Sequence, residues 1–299
     1  MARGRSLLKG IGVLFLFILF FFVAVFFYAY LTGGDIQVLS LVGGDSVGVL
    51  QIAGSINDSQ EAIRNLKQFG ETRGIKAVVV RIDSPGGGVA PTQEIFEEIE
   101  KLKKKKPVIA SLGGMATSGG YYIASACDQV VANPGTLTGS IGVIMELGNV
   151  EELLKKLGLK GYSIKSGPHK DIGSPLRPLS AEEKAILQSL VDNVHGQFVR
   201  AVAKGRRMPE EKIRGLADGR VYSGEQAKGL GLVDRLGNME AAIDLAAERG
   251  GIKGVPQVIH SRSEEKSWLE KLLFSFLGNR SSYGESWGLR YEWSPSFIQ

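Results

Sequence analysis

The chain has 299 residues, of which 43% are hydrophobic and 22% charged, a composition typical of a globular protein and unlike that of a disordered one. Much of its formal net charge of +5 lies at the start, where Arg3, Arg5 and Lys9 precede the first apolar run. Beyond that run the basic and acidic residues nearly cancel, which leaves no charge pattern for binding nucleic acid.

The first predicted element is a run of 21 residues without a charge, Ile11 to Leu31. As a helix rising about 1.5 Å per residue it would span roughly 31 Å, which matches the hydrocarbon core of a bilayer. Tyr28 and Tyr30 flank the only nearby alanine, so a cleavage site of small residues is disfavoured and we expect the span to be retained. The basic residues ahead of it predict a cytoplasmic segment at 1–10, with everything after the span across the cell membrane.

After a linker at 32–45, short apolar runs alternate with amphipathic stretches over residues 46–260. The order strand, helix, strand, helix, strand is carried by VGVLQIAG, DSQEAIRNLKQF, IKAVVVRI, VAPTQEIFEEIEKLKKKK and PVIASL. Within the third of these segments, Ala77 to Val80 is apolar, as expected for a strand covered on both faces. This alternation predicts an α/β fold.

The series continues with a short helix near Gly119 to Ala126 and a long helix near Ala181 to Ala203. Between and after them, the predicted elements are the strand DQVVA, the helix LGNVEELLKKLG, the strand YSIK and the final helix GNMEAAIDLAAERG. The tail at 261–299 differs in composition. Its segment SWLEKLLFSFLG has the pattern of an amphipathic helix, and the aromatic-rich stretch from Trp287 onward is expected to be mobile.

The loop DSPGGG, Asp83 to Gly88, follows a predicted strand and precedes a helix. Its glycines allow positive φ angles that turn backbone N–H groups outward, which suits a phosphate or a developing oxyanion. On this loop alone, an ordinary strand-to-helix turn with a proline is the favoured interpretation. A P-loop is disfavoured because no Gly-Lys-Ser/Thr ending follows, and Pro91 occupies the place of the third glycine in the dinucleotide motif.

A second loop, GGMATSGGYYIASA, places Ser118 between a predicted strand and a helix that begins at Gly119. The serine would either cap the helix or act as a nucleophile. Small neighbours leave space beside the hydroxyl, and the amide of Gly119 would point to where an acyl oxyanion forms. Because ligands in α/β sheets bind beyond the carboxyl ends of strands, this loop and DSPGGG are both well placed for a site.

A nucleophilic serine needs a base, and the sequence alone leaves this choice open. None of the histidines, His169, His195 and His260, has an acidic partner at motif spacing. A lysine such as Lys170 would need to be neutral, and nothing but its ordered-looking loop distinguishes it from the other lysines. Cys127, the only cysteine, excludes an intrachain disulfide and cysteine-based zinc sites, and its apolar neighbours predict a buried residue.

Five segments in order are DSPGGG, MATSGGYYIA, TGSIGVI, KSGPHKDIGSP and DGRVYSGEQAKGLGLVD. Together with the apolar span they resemble the signal peptide peptidase A (protease IV) family of membrane-anchored Ser–Lys proteases, over roughly Val47 to Arg249. The resemblance implies the fold of the ClpP/crotonase superfamily, a spiral of ββα units, preceded here by one N-terminal transmembrane helix.

The same resemblance assigns roles to particular residues. The family's nucleophile falls on Ser118 and its general base on Lys170. A hydroxyl that orients this lysine falls on Ser140. The oxyanion hole would use the amide of Gly119 and one amide of the Gly86–Gly87 pair. No metal and no cofactor would take part.

The resemblance therefore implies a membrane-bound serine endopeptidase that cleaves remnant signal peptides and other unfolded or membrane-released segments. Related short forms lead us to expect a ring-shaped homo-oligomer, an octamer, and a single-pass topology with the catalytic domain outside the cytoplasm. The alternatives are a sibling membrane protease with another substrate, an acyl-CoA enzyme on the same fold, and a catalytically silent membrane scaffold.

Overall fold

The chain divides into two compact units, Met1–Gly43 and Gly44–Gln299. The computed structural model describes part of each, namely residues 17–21, 23, 44–261 and 290–292. In the first unit the described residues are helical.

The predicted transmembrane helix at 11–31 lies mostly outside the described residues, as do the segment 1–10 and nearly all of the linker 32–45. Among the residues that are described, no helix has the length and apolar character needed to cross a bilayer. The membrane span therefore stays a prediction from the sequence.

The second unit alternates strands and helices from its first residues onward. Its helices are α1 (Gln60–Glu71), α2 (Val89–Leu102), α3 (Gly119–Ala126), α4 (Glu151–Lys156), α5 (Ala181–Arg206), α6 (Glu210–Arg214), α7 (Gly224–Leu230) and α8 (Met239–Arg249). Its strands are β1 (Ser46–Ala53), β2 (Ile75–Ser84), β3 (Gly86–Gly88), β4 (Val108–Thr117), β5 (Gln129–Ala132), β6 (Leu137–Gly139), β7 (Val221–Ser223), β8 (Arg235–Leu236), β9 (Gln257–His260) and β10 (Arg290–Glu292).

The main sheet runs in the order β7-β6-β4-β2-β1-β9, with β5 and β8 branching from β4. Its pairs are parallel except for β6 with β7. The branch arises because β4 pairs with β5 through Ile109–Leu112 and with β6 through Met115–Thr117. The long strand β4 thus begins beside β5 and ends beside β6. A separate two-stranded sheet pairs β10 with β3.

Helices cover both faces of the central strands. Side chains at Val47, Val49 and Val79 pack with Ala242 and Ala246 of α8, all of them nearly or fully buried. The alternate residue Gly48 faces Phe69 of α1 instead, because neighbouring residues of a strand point to opposite faces. This two-sided burial explains the continuous apolar run of β2 and confirms the predicted α/β fold.

Three local predictions differ from the structure. Strand β4 continues through Thr117, so the small residues before Ser118 are strand rather than loop. The segment Tyr162 to Lys165 forms no strand; its side chains are exposed and no neighbouring strand pairs with it in the described part of the chain. Arg290–Glu292, in a tail expected to be mobile, forms β10.

Candidate active site

Ser118 occupies a sharp turn between β4 and α3. Its φ of 52° and ψ of −115° lie in a region that non-glycine residues rarely adopt. The turn is held by its backbone, because the N–H of Ser118 donates to the carbonyl of Gly139 at 2.8 Å and its own carbonyl accepts from the N–H of Tyr122 at 2.8 Å. The hydroxyl makes no capping hydrogen bond to the helix. The helix-cap interpretation of Ser118 is therefore wrong.

Ser140 lies beside Ser118 because the strands before them are paired. In the parallel register of β4 and β6, Thr117 is opposite Gly139, so the two serines are the next residues at the same edge of the sheet. Ser140 also has a positive φ, 49°, and its N–H donates to the carbonyl of Arg220 at 2.8 Å. Two strained serines at adjacent strand ends thus share one site.

The DSPGGG loop lies against this turn through glycines that no other residue could replace without strain. Gly86 has a φ of 109°, and a Cβ atom there would lie 1.8 Å from the carbonyl oxygen of Tyr291 and 2.8 Å from the nitrogen of Gly119. At Gly87, with a φ of 159°, a Cβ would lie 2.3 Å from the carbonyl oxygen of Ile56. The loop backbone therefore approaches the start of α3 closely, as an oxyanion site requires.

The N–H groups of the two glycines have different partners. That of Gly86 donates to Oγ of Ser84 at 3.1 Å in a buried position. Gly87 is opposite Tyr291 in the antiparallel pair of β3 and β10. Because the Gly86 amide bonds within its own loop, the amide that faces outward from the loop is that of Gly87.

A cavity of about 470 Å³ opens in front of the two serines. Its rim carries more acid than base, with Glu146, Asp192, Asp218 and Glu292 against Arg290 and His195. An apolar wall is supplied by Val143, Ile144, Val191 and Ala217. The space suits a peptide segment rather than a single small anion.

Lys170 does not line this cavity. It is an exposed residue of a turn whose N–H donates to the carbonyl of Gly167 at 3.2 Å. Within the single chain the structure brings Ser118 and Ser140 together and leaves Lys170 outside their cavity.

Ion pairs order the loop that carries Lys170. Arg177 bridges Asp171, at 2.8 Å, and Glu183 at the start of α5, at 2.5 Å, while Lys165 contacts Asp171 at 2.5 Å. Hydrogen bonds from the Arg177 guanidinium hold the pKa of Asp171 well below its usual range and lower the pKa of Glu183 to about 2. The loop is therefore fixed by charge at its base although its tip is exposed.

Among the histidines, His195 on α5 is the one that lines the cavity with Ser118. Its Nε2 atom is buried and has no hydrogen-bond partner within the part of the chain that the structure describes. His169 lies outside the cavity, exposed, with Nε2 at 3.7 Å from Glu182. No sequence motif relates His195 to Ser118. The packing of α5 against α3 brings His195 to the cavity.

Cys127 is buried at the end of α3, and burial raises the pKa of its thiol far above the usual value. A buried protonated thiol is a poor nucleophile, which agrees with the predicted structural role. The described residues contain no group of three His, Cys, Asp or Glu side chains that could hold a metal ion.

Two family profiles match the sequence in this region. That of Peptidase family S49 covers residues 100–253, and that of Clp protease covers residues 47–136. The first includes Ser118, Ser140 and Lys170, and the second includes the DSPGGG loop and the Ser118 turn.

Several curated proteins are similar over most of the second unit. A putative protease of Synechocystis is 47% identical over 204 residues, 68% of this chain and 74% of that protein. A putative signal peptide peptidase of Enterococcus faecium is 36% identical over 229 residues, 76% of this chain and 62% of its own length. Protease 4 of Salmonella typhi is 36% identical over 220 residues, which are 70% of this chain and 35% of that longer protein.

The α/β fold with a Clp protease match, together with a strained serine facing a glycine-rich loop, defines a serine peptidase. More narrowly, the chain belongs to peptidase family S49, as the profile match over more than half its length and these relatives show. The resemblance drawn from the five sequence motifs is confirmed.

Proposed function

We propose that the chain is a membrane-anchored endopeptidase in which Ser118 attacks the peptide carbonyl and Lys170 is the general base. Lys170 in its neutral form takes the Ser118 proton as Ser118 attacks the carbonyl, which gives a tetrahedral oxyanion. The protonated lysine then delivers that proton to the leaving amine, and departure of the amine leaves the acyl-enzyme. The amides of Gly119 and Gly87 stabilise the oxyanion. Water hydrolyses the ester and releases the acyl chain.

The geometry of Ser118 carries this proposal. Its strained turn leaves the hydroxyl free of capping bonds, and the same turn directs the start of α3 toward Gly86. A serine held in this way resembles the nucleophile elbow of other hydrolases, where a sharp strand-to-helix turn exposes the reactive oxygen. Ser140, at the adjacent strand end, would hydrogen-bond the incoming lysine.

An assembly of several copies would bring Lys170 into its proposed role. The segment before it exposes apolar side chains that a solvated monomer rarely keeps together, with Leu157 62% exposed, Tyr162 82% exposed and Ile164 fully exposed. Burying this surface between copies of the chain would restrain the loop of Lys170 beside the cavity. The proposed state is therefore a homo-oligomer, with the eight copies that the family resemblance implies.

Membrane anchoring through residues 11–31 would hold the site where apolar peptides emerge from the bilayer. The proposed substrates are remnant signal peptides and other unfolded segments on the outer side of the cell membrane. A relative in Enterococcus faecium carries the name putative signal peptide peptidase, which favours this substrate class. A sibling membrane protease with other substrates is the second candidate.

Cleavage of a defined signal peptide by the full chain in detergent tests the proposal, with product masses read out. Ser118→Ala and Lys170→Ala should each lower kcat by at least about a thousandfold while the melting temperature is retained. Wild-type Ser118 should be labelled by a serine-reactive fluorophosphonate. Activity should rise toward alkaline pH, because a lysine accepts a proton only when it is neutral.

Variants of the two histidines that are alternative candidates for the base are the matched controls. His169→Ala and His195→Ala should keep most of the activity. If His195→Ala abolishes cleavage and Lys170→Ala does not, the base assignment is overturned. For the assembly, Ile164→Asp should shift the sedimentation coefficient toward that of a monomer, and an unchanged coefficient would contradict this interface.

A further inference from the structure

The two edges of the main sheet, where its parallel strands begin and where they end, differ in charge. Strands β1, β2, β4 and β9 are parallel and Ser118 follows the end of β4, so these strands begin at the edge opposite the serine. At that edge, which we call the basic edge, the strand starts and the helix ends beside them carry Arg73, Lys76, Lys104, Lys105, Arg249 and Lys253 against Asp45, Glu71, Asp128 and Glu248. The cavity in front of Ser118 has the reverse balance, with more acid than base.

The lysine run at 103–106 has a structural role at its first and last positions. The ammonium of Lys106 donates to the carbonyl of Phe69 at 2.6 Å, near the end of α1. That of Lys103 donates to the carbonyl of Ala126 at 2.7 Å, where α3 ends. Positive charge at these helix ends complements the helix dipole. Helix capping thus explains two lysines of the run and leaves the two between them unexplained.

The ammonium groups of the basic edge are close together and poorly neutralised. Lys104 and Lys105 are exposed, and within the described residues their ammonium groups have neither a hydrogen bond nor an ion pair. Burial lowers the pKa of Lys106, and the positive charges of Lys76 and Lys105 lower it further. Asp45 pairs with Lys76 at 3.3 Å, but both side chains are exposed, so this pair contributes little. An anion at this edge would therefore be attracted by several positive charges at once.

An exposed apolar side chain lies among these charges. The loop between α8 and β9 is at the basic edge, because a Cβ on Gly250 would lie 3.2 Å from the carbonyl carbon of Lys76. In this loop the side chain of Val255 is 95% exposed, and with Lys253 it lines a cavity of about 390 Å³. Apolar contact and charge attraction together determine how strongly a protein surface binds an anionic bilayer. The basic edge offers both.

The chain enters the second unit at this edge. Gly44, the first residue of that unit, lines the same cavity as Val255, and β1 begins two residues later. The sequence before Gly44 is the linker that follows the predicted membrane span at 11–31. Along the chain, the basic edge is therefore the part of the second unit that comes first after the predicted span.

We infer that the basic edge docks on an anionic lipid surface, with Lys104, Lys105 and Lys253 facing phosphate headgroups and Val255 entering between them. The inference rests on the proposed membrane location and deepens it by naming the lipid. Because β4 has ten residues and rises about 3.3 Å per residue, Ser118 at its far end would be held about 30 Å from the headgroups. The site then takes peptide segments that have left the bilayer.

A fluorescent probe at Val255 tests the docking on the full chain in lipid nanodiscs. Val255→Cys is labelled with a polarity-sensitive dye, and the label is selective because the Cys127 thiol is buried and protonated. The emission should shift to the blue in discs that contain phosphatidylglycerol, relative to discs of phosphatidylcholine. At about 1 M salt, where the screening length is about 3 Å, the shift should disappear. The matched control is Gly135→Cys, exposed beyond the carboxyl end of β5, whose emission should be equal in both discs.

Charge variants labelled at position 255 test the lysines themselves. Lys104→Glu with Lys105→Glu should lower the ratio of docked to undocked probe at least about tenfold, because each lysine near an anionic surface contributes about fivefold. Lys104→Arg with Lys105→Arg keeps both charges and should retain the shift. Equal emission at position 255 in the two lipids, or a shift that survives the glutamate pair, overturns the inference.

Flotation of the unlabelled full chain with vesicles separates the lipid surface from the membrane anchor. A chain that floats with phosphatidylcholine vesicles but shows equal probe emission in both discs keeps its anchor and overturns the docking of the basic edge. A chain that floats only with phosphatidylglycerol vesicles overturns the proposed anchor and supports the basic edge. A chain that floats with neither overturns both.

Discussion

The turn that carries Ser118 and the loop that carries Lys170 are built by different forces. Ser118 is almost fully buried, and its strained backbone is held between the paired ends of β4 and β6. Lys170 is exposed in a segment without strands, whose base is tied by Arg177 to Asp171 and Glu183. Packing and backbone hydrogen bonds fix the first region, whereas charge and the proposed contact with another copy fix the second.

The two halves of the proposed catalytic dyad are therefore positioned by different means. A strained φ persists only where the surroundings over-determine it, so Ser118 is preorganised within one chain. An exposed lysine on a charged loop is easily displaced, so its position would depend on assembly and on pH. Changes that disturb the backbone of the Ser118 turn should therefore affect folding and activity together, whereas changes in the Lys170 loop should affect activity alone.

The largest effect is expected from Gly86→Ala. The new Cβ would occupy the place of the Tyr291 carbonyl oxygen and would force a φ of 109° on an alanine, so peptide cleavage should fall at least about a hundredfold and the melting temperature should drop. Peptide hydrolysis and thermal melting check both. Gly135→Ala is the control, because a Cβ there meets no atom within 4 Å. Near wild-type activity in Gly86→Ala would show that no acyl oxygen passes beside this glycine.

A smaller effect is expected from Arg177→Ala, which removes the ion pairs at the base of the Lys170 loop. Without the guanidinium, Asp171 and Glu183 lose their common partner, and kcat/KM should fall about tenfold because the proposed base Lys170 is no longer held in place. The melting temperature should change by less than about 4 °C, since the loop is outside the core. Lys101→Ala, which removes the partner that an exposed lysine offers to Glu98 away from this loop, should alter neither. A large loss of stability in Arg177→Ala would contradict the contrast between the regions.

Acid should loosen the same loop before it affects the Ser118 turn. Because Arg177 lowers the pKa of Glu183 from 4.5 to about 2, the stabilisation by this pair is complete above about pH 4.5 and is lost as the pH falls toward 2. Hydrogen exchange, corrected for its intrinsic pH dependence, should show protection of residues 166–178 declining over this window while β4 stays protected. In Arg177→Ala the decline should vanish; a decline that persists would assign it to another group.

The smallest effect is expected from Tyr121→Phe beneath the Ser118 turn. The Tyr121 hydroxyl donates to the carbonyl of Leu232 at 2.8 Å, and both are buried. Removing it leaves that carbonyl without its donor and should lower the free energy of unfolding by about 1–2 kcal/mol. Urea unfolding measures this loss, and the kcat of the folded enzyme should stay unchanged. A changed kcat would mean that the core beneath Ser118 also tunes its reactivity.

Much of the fold was predictable because burial on two faces leaves a clear record in the sequence. The apolar run of β2 and the amphipathic pattern of α1 and α2 predicted their positions to within a few residues. The segment Tyr162 to Lys165 misled, because alternation alone does not supply a neighbouring strand. Strand β10 could not be predicted within the aromatic-rich tail, because three residues are too few to show a periodic pattern.

The sequence by itself determined the serine-peptidase family and the residues that carry its motifs, because glycines at sharp turns and small residues around Ser118 are local features that a sequence records directly. The tertiary structure decided what those motifs meet. It showed that the Ser118 hydroxyl does not cap α3, that Ser140 is its neighbour through the β4–β6 register, and that Tyr291 reaches the site from the far end of the chain. These contacts join residues distant in sequence, and such contacts arise only when the sheet and its helices pack.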